Sequence, residues 1–157
     1  MKYQKFSLLI TVAASAFLLV SCGEQVKTTG NAAVDALNVS LSRVPIEGFP
    51  SGKAASKEEW NKMITIAVPV VREVMPKVPA GYNLQVTGHT DGEGGTTSAG
   101  NYRLSADRAL SVWTELRKRG ITDGKLTYKG VAGTVPTSKC TINMSCQRRV
   151  TFKVVPK

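Results

Sequence analysis

Between Tyr82 and Gly120 the hydrophobic period of the sequence changes once, and this change restricts the fold more than any other feature. Tyr82, Leu84 and Val86 alternate with Asn83, Gln85 and Thr87, the two-residue period of a strand with one buried face. A glycine-rich stretch from Gly88 to Gly100 follows. From about Asn101 the apolar positions Leu104, Ala109, Val112, Trp113 and Leu116 recur at helical spacing. Gly120 stops that helix after the basic turn Arg117-Lys118-Arg119, a favourable charge for a helix C-terminus. A strand, a loop and a helix in this order need further strands beside the first, and residues 125–129 and 148–155 supply two.

Upstream, Leu37, Val39 and Leu41 alternate with Asn38, Ser40 and Ser42, which predicts a first strand over residues 36–44. Pro45, Gly48, Pro50 and Gly52 mark a turn-rich stretch. Ser56-Lys57-Glu58-Glu59 is a capping box, and it predicts a helix with Trp60, Ile64, Ala67, Val68, Val71 and Met75 on its apolar face. Pro69 lies inside this pattern and is expected to kink or split the helix, because it removes a hydrogen bond at a cost of about 3 kcal/mol. The resulting order, β-α-β-α-β-β, is an α/β (α+β) fold: a two-layer sandwich with helices packed on one face of a small mixed sheet. Trp60, Trp113 and Tyr128 fall on buried faces and are expected in the core.

Lys2 and Lys5 precede an apolar run from Phe6 to Val20, shorter than the about 20 residues of a membrane span and typical of an export signal. The run ends in Leu19-Val20-Ser21-Cys22, which resembles the bacterial lipobox. Residues 1–21 are then a lipoprotein signal peptide, Cys22 the acylated first mature residue, residues 22–35 a polar tether and residues 36–157 the domain. Gly23, in place of Asp, fits sorting to the outer membrane with the domain in the periplasm. The competing reading is a short buried helix ending in an ordinary cysteine. Removing residues 1–21 takes away Lys2 and Lys5 and no acid, so the formal charge of +10 falls by two to +8. The chain still matches an anionic surface or partner. Export also leaves Cys140 and Cys146 as a pair in an oxidising compartment, where a disulfide is expected. A metal pair lacks ligands, since His89 is the single histidine, and two free thiols remain the alternative in a weakly oxidising host.

Gly88-His89-Thr90-Asp91, then Asn101-Tyr102-Arg103-Leu104-Ser105-Ala106-Asp107-Arg108-Ala109, and Gln147-Arg148-Arg149-Val150 entering the last strand, resemble the OmpA-like peptidoglycan-binding domain. Gly120-Ile121, and Gly130 followed by Pro136, keep the family's order. The overall plan is similar to small outer-membrane lipoproteins of the peptidoglycan-associated type. The resemblance implies a non-catalytic protein without a cofactor, which binds the diaminopimelate side chain of the peptidoglycan stem and tethers the outer membrane to the wall. Such a zwitterion needs one acid for its ammonium and one forked base for its carboxylate. By motif position these are Asp91 and Arg108, with Asn101, Thr90 and Arg148 as further contacts and Arg149 beside them. Helical spacing sets Arg108 at the edge of the buried stripe, bordering core and solvent, and Asn101 at the helix start, where it can also act as the cap. Ala132 stands where a second glycine is usual, Gln147 where asparagine is usual, and the Asp91–Asn101 loop is two residues longer than in typical members.

Each residue also has a plainer reading. Asp91 and Arg108 could form a structural salt bridge, and His89 reads as a packed histidine because no serine or cysteine stands at triad spacing. Asp91 and Glu93 lack the spacing of a calcium loop. The alternative function is a protein-interaction module of a trans-envelope complex using the same fold. A hydrolase is disfavoured for want of a nucleophile–base pair or metal cluster, and nucleic-acid binding by export and the absence of a base-stacking motif.

Overall fold

A computed structural model describes residues 28–54 and 59–157. The expected signal segment, Cys22, the Ser56 capping box and the side chain of Trp60 lie outside the described residues. Helices α1 (Ala32–Leu41) and α2 (Glu59–Val74) precede strand β1 (Tyr82–Gly88), helix α3 (Ala99–Lys118) and strands β2 (Leu126–Gly130) and β3 (Val150–Pro156). Short 3₁₀ turns occupy Met75–Lys77 and Ser145–Gln147. Strand β1 is central, parallel to β2 and antiparallel to β3. A parallel neighbour requires a crossover, and α3 is that crossover.

The register aligns the apolar positions in rows. Leu126, Leu84 and Val154 form one, Val86 and Phe152 another, and Gly130, Gly88 and Val150 a third at the end of the sheet. These rows pack with Ala109, Val112 and Leu116 of α3 and with Ile64, Ala67, Val68 and Val71 of α2 in one core. Gln85, Thr87, Thr151 and Lys153 alternate onto the opposite face, so the α+β sandwich with helices on one face is as expected.

Residues 36–44 differ from expectation: they form no strand, and α1 begins at Ala32, inside the stretch read as tether. Asn31 caps this helix, its side chain accepting from the amides of Ala33 and Val34, and Asp35 lies in the first turn. The buried positions are Val34, Asn38 and Leu41, spaced by four and three, whereas Val39 is exposed. Leu37, Val39 and Leu41 fit both periods, and the cap with the buried spacing decides for the helix. Pro69 does not split α2. It and Thr65, whose carbonyl it cannot serve, are both exposed, so water can take the free acceptor. Tyr128 is exposed at the sheet edge, its ring 5.5 Å from that of the half-buried Trp113, so neither ring is full core.

Asn38 completes the sheet. β3 is an edge strand, and the Asn38 side chain covers part of that edge as a strand would: Nδ2 donates to the Val154 carbonyl (3.2 Å) and Oδ1 accepts from the Val154 amide (2.7 Å). Further along, Ile46 and Val150 exchange both backbone bonds at 2.9 and 2.7 Å. Asn38→Leu keeps the volume but leaves two backbone groups unpaired in the core. The expected loss is about 2 kcal/mol of unfolding free energy, read by urea denaturation.

Candidate functional site

The expected site residues converge at one end of the sheet because two glycines let α3 approach it closely. A Cβ on Gly88 would lie 1.9 Å from the Ser105 carbonyl oxygen, and one on Gly130 would lie 2.4 Å from both the Ala106 amide nitrogen and Ser105 Oγ. Ser105 fits between them, its Oγ donating to the Tyr102 carbonyl and accepting from the Ala132 amide, both at 2.9 Å. The Leu104–Ala109 motif is thus legible in physical terms. Ser105 and Ala109 are small where the helix meets the sheet, and Arg108 reaches past the end of β1.

Beyond Gly88 the chain runs through His89 and Thr90 to Asp91, all buried. Asp91 Oδ2 pairs with Arg148 Nη1 at 2.8 Å, and Arg148 Nε donates to the Phe49 carbonyl at 2.7 Å. The ion partner of Asp91 is therefore Arg148, just ahead of β3, and not Arg108. Nor does Arg108 border solvent. Its side chain has no exposed surface: Nε donates to the Lys53 carbonyl (3.0 Å), Nη1 to the His89 carbonyl (2.9 Å) and Nη2 to the Pro50 carbonyl (3.0 Å). The Phe49 ring lies against its guanidinium, 5.4 Å from the centroid. Helical spacing set Arg108 at the stripe's edge, and the turn-rich stretch Phe49–Ala54 folds over that edge and covers it.

Two guanidinium groups and one carboxylate share this end of the sheet. Burial lowers the Arg108 pKa to about 10, with Asp91 opposing the shift and Arg148 adding to it. The side chain stays cationic at neutral pH, so the group carries one uncompensated positive charge. Surface clefts of about 330 Å³ beside Arg72 and Asp123, and about 280 Å³ beside Arg43 and Lys139, are lined by none of the three.

The remaining expected contacts divide into two groups. Thr90 lies next to Asp91, and its buried Oγ1 has no hydrogen-bond partner among the described residues. Asn101 is not the cap of α3; Ser98 is, accepting from the Asn101 amide. The Asn101 side chain instead donates to the Glu93 and Gly95 carbonyls, both at 2.8 Å, and so holds the loop that follows Asp91. Arg149 donates to the Val135 carbonyl (2.9 Å), bracing the loop between β2 and β3. His89 is packed as expected, with Nε2 2.9 Å from Thr151 Oγ1. Among the described residues no group of three or more His, Cys, Asp or Glu could hold a metal ion.

A sequence model described as the OmpA family matches residues 69–149, just over half of the chain. The chain belongs to the OmpA family. No curated protein matches it. Among solved structures it is similar to the OmpA-like domain of FopA1 from Francisella tularensis subsp. tularensis SCHU S4, at 20% identity and a TM-score of 0.56 over 71% of each chain. The C-terminal domain of Helicobacter pylori MotB shares 21% identity, with a TM-score of 0.55 over 72% of this chain and 84% of that one. The cell wall anchor of the T6SS from Pseudomonas aeruginosa is 26% identical, with a TM-score of 0.51 over 72% of this chain and 80% of that one.

Two positions where this chain departs from the OmpA family pattern have defined local settings. Ala132, where glycine is usual, has φ of 51°, a left-handed conformation that glycine adopts without strain. Gln147 accepts from the Thr137 amide (2.9 Å) and donates to the Thr137 and Cys140 carbonyls (each 3.0 Å). Cys140 and Cys146 form a disulfide, with Cα atoms 6.5 Å apart. The loop so closed touches the loop after Asp91, the Gly92 amide donating to the Ile142 carbonyl at 3.0 Å. Among the described residues no helix is long and apolar enough to cross a membrane.

Proposed function

We propose that this chain is a non-catalytic, lipid-anchored envelope protein that binds peptidoglycan through the diaminopimelate side chain of the stem peptide and so tethers the outer membrane to the wall. The observation that carries this reading is the composition of the charged group: one carboxylate, Asp91, with two guanidinium groups, Arg148 at 2.8 Å and the buried Arg108. A zwitterion with ammonium and carboxylate on one carbon matches it, the ammonium meeting Asp91 and the carboxylate neutralising the surplus cation at Arg108 and Arg148. Thr90 Oγ1 is a buried hydroxyl still able to bond a ligand, and Asn101 holds the loop that follows Asp91. The likeness to a cell wall anchor supports the wall as the partner. Cys22 carries the lipid in this reading, and the remaining +8 of the mature chain favours encounter with an anionic wall.

The test is co-sedimentation of the full chain, in detergent, with purified sacculi. Asp91→Asn keeps the size of the side chain and an oxygen for Arg148 but removes the charge. A charge-assisted bond to the ligand is worth about 1.5–3 kcal/mol, so the expected loss of affinity is roughly ten- to hundred-fold. A stem peptide containing meso-diaminopimelate should compete, and the same peptide with lysine at that position, whose side chain ends in an ammonium without a carboxylate, should not. Unaltered sedimentation of a folded Asp91→Asn chain overturns the reading.

A further inference from the structure

We propose that the segment Phe49–Ala54 is an autoinhibitory strap, a stand-in ligand whose backbone carbonyls occupy the guanidinium donors of the site until an external carboxylate displaces it. This rests on the diaminopimelate reading above and deepens it. The strap spans both arginines: Phe49 gives its carbonyl to Arg148, and Pro50 and Lys53 give theirs to Arg108. Two side chains fasten it at separate points. Ser51 Oγ donates to Glu93 Oε2 across the loop after Asp91 (3.5 Å), and Ser111 Oγ of α3 shares its one proton between the Ala54 carbonyl (3.0 Å) and the Arg108 carbonyl of its own helix (2.8 Å). Within the strap the turn is local, the Lys53 amide bonding the Pro50 carbonyl at 3.2 Å, and Gly48 and Gly52 both have positive φ, 81° and 66°.

A carbonyl satisfies an N–H donor but brings no charge, whereas a carboxylate brings charge and bonds a guanidinium about twice as strongly. The two arginines are therefore better served by the ligand than by the strap. With the strap closed, Arg108 has no exposed surface, so a ligand reaches it only from an opened state. The apparent dissociation constant is then the intrinsic one divided by the open fraction, and weakening a fastening should tighten binding.

Ser111→Ala removes one fastening without touching Asp91 or either guanidinium. One hydrogen bond shifts the opening equilibrium so that the full chain should bind free meso-diaminopimelate about two- to ten-fold more tightly by calorimetry. In isotope-labelled wild type the Gly52 and Lys53 amides and the Arg108 Nε–H should shift on titration together with the Thr90 and Asp91 amides. If Thr90 and Asp91 respond while the strap does not, or if folded Ser111→Ala binds no more tightly, the strap proposal is overturned and the ligand reading stands. If wild type binds no diaminopimelate at all, both fall.

Discussion

Gly88→Ala should destabilise the chain by roughly 3 kcal/mol or more, enough to remove much of the stability of a domain of this size. The added methyl would lie 1.9 Å from the Ser105 carbonyl oxygen, 2.9 Å from its carbon and 3.0 Å from the Ala109 amide nitrogen. All three are backbone atoms, so no rotamer change relieves the clash. β1 cannot retreat, because it is bonded to β2 on one side and to β3 on the other, with Gly88 paired to Gly130 and Val150. The strain must pass to α3, whose displacement would also move Arg108, one turn beyond Ser105, off the Pro50, Lys53 and His89 carbonyls. Gly124→Ala is the control: its Cβ meets nothing within 4 Å, and the expected change is within about 0.5 kcal/mol. Urea denaturation of the two variants side by side separates a site-specific clash from a general intolerance of alanine for glycine. A Gly88→Ala chain as stable as the control would show that the helix can step away from the sheet without cost.

What the sequence reveals and what it hides divide along a physical line. Strands β1, β2 and β3 and helix α3 are legible because each carries a side-chain period tied to one buried face, and their bounds fall within two residues of those expected. α1 was misread because the short alternation at Leu37, Val39 and Leu41 satisfies two periods, and the deciding groups, the Asn31 cap and the Asn38 contact with Val154, are a turn away from it or across the fold. The residues of the candidate site were legible as types in a motif, but their pairing was not. Asp91 meets Arg148, 57 positions away, and Arg108 meets carbonyls of Pro50 and Lys53. Every residue has a carbonyl, so a contact to backbone leaves no mark in composition or spacing. The one local sign was the cluster Gly48, Pro50 and Gly52, which announces a turn but not what the turn covers. Asn101 shows the same limit: its place near the helix start was legible, whereas the cap fell to Ser98 and its amide to the loop carbonyls.

Acid should weaken the fold through His89, and the sign follows from where its ring lies. The ring is buried beside Thr151, and its pKa falls from 6.5 to about 3, first because burial penalises the cation and then because Arg149 is near, with the Val135 backbone opposing weakly. In the folded chain the imidazole is neutral down to about pH 3, while in the unfolded chain it takes a proton below about 6.5. The unfolded state therefore binds more protons throughout this window. The stability His89 contributes is complete above about pH 6.5 and is lost as pH falls, by about 1.4 kcal/mol per unit and roughly 5 kcal/mol in all. The measurement is a comparison: unfolding free energy against pH for wild type and for His89→Gln, which does not titrate at this position. Contributions common to both curves cancel, leaving a steeper acid limb in wild type between about pH 6 and 3. Parallel curves would mean that the imidazole is solvated or protonated in the native state. Since the His89 carbonyl accepts from Arg108 Nη1 while its amide bonds the Arg149 carbonyl at 2.9 Å, charging this ring would disturb the floor on which the strap and both site arginines rest.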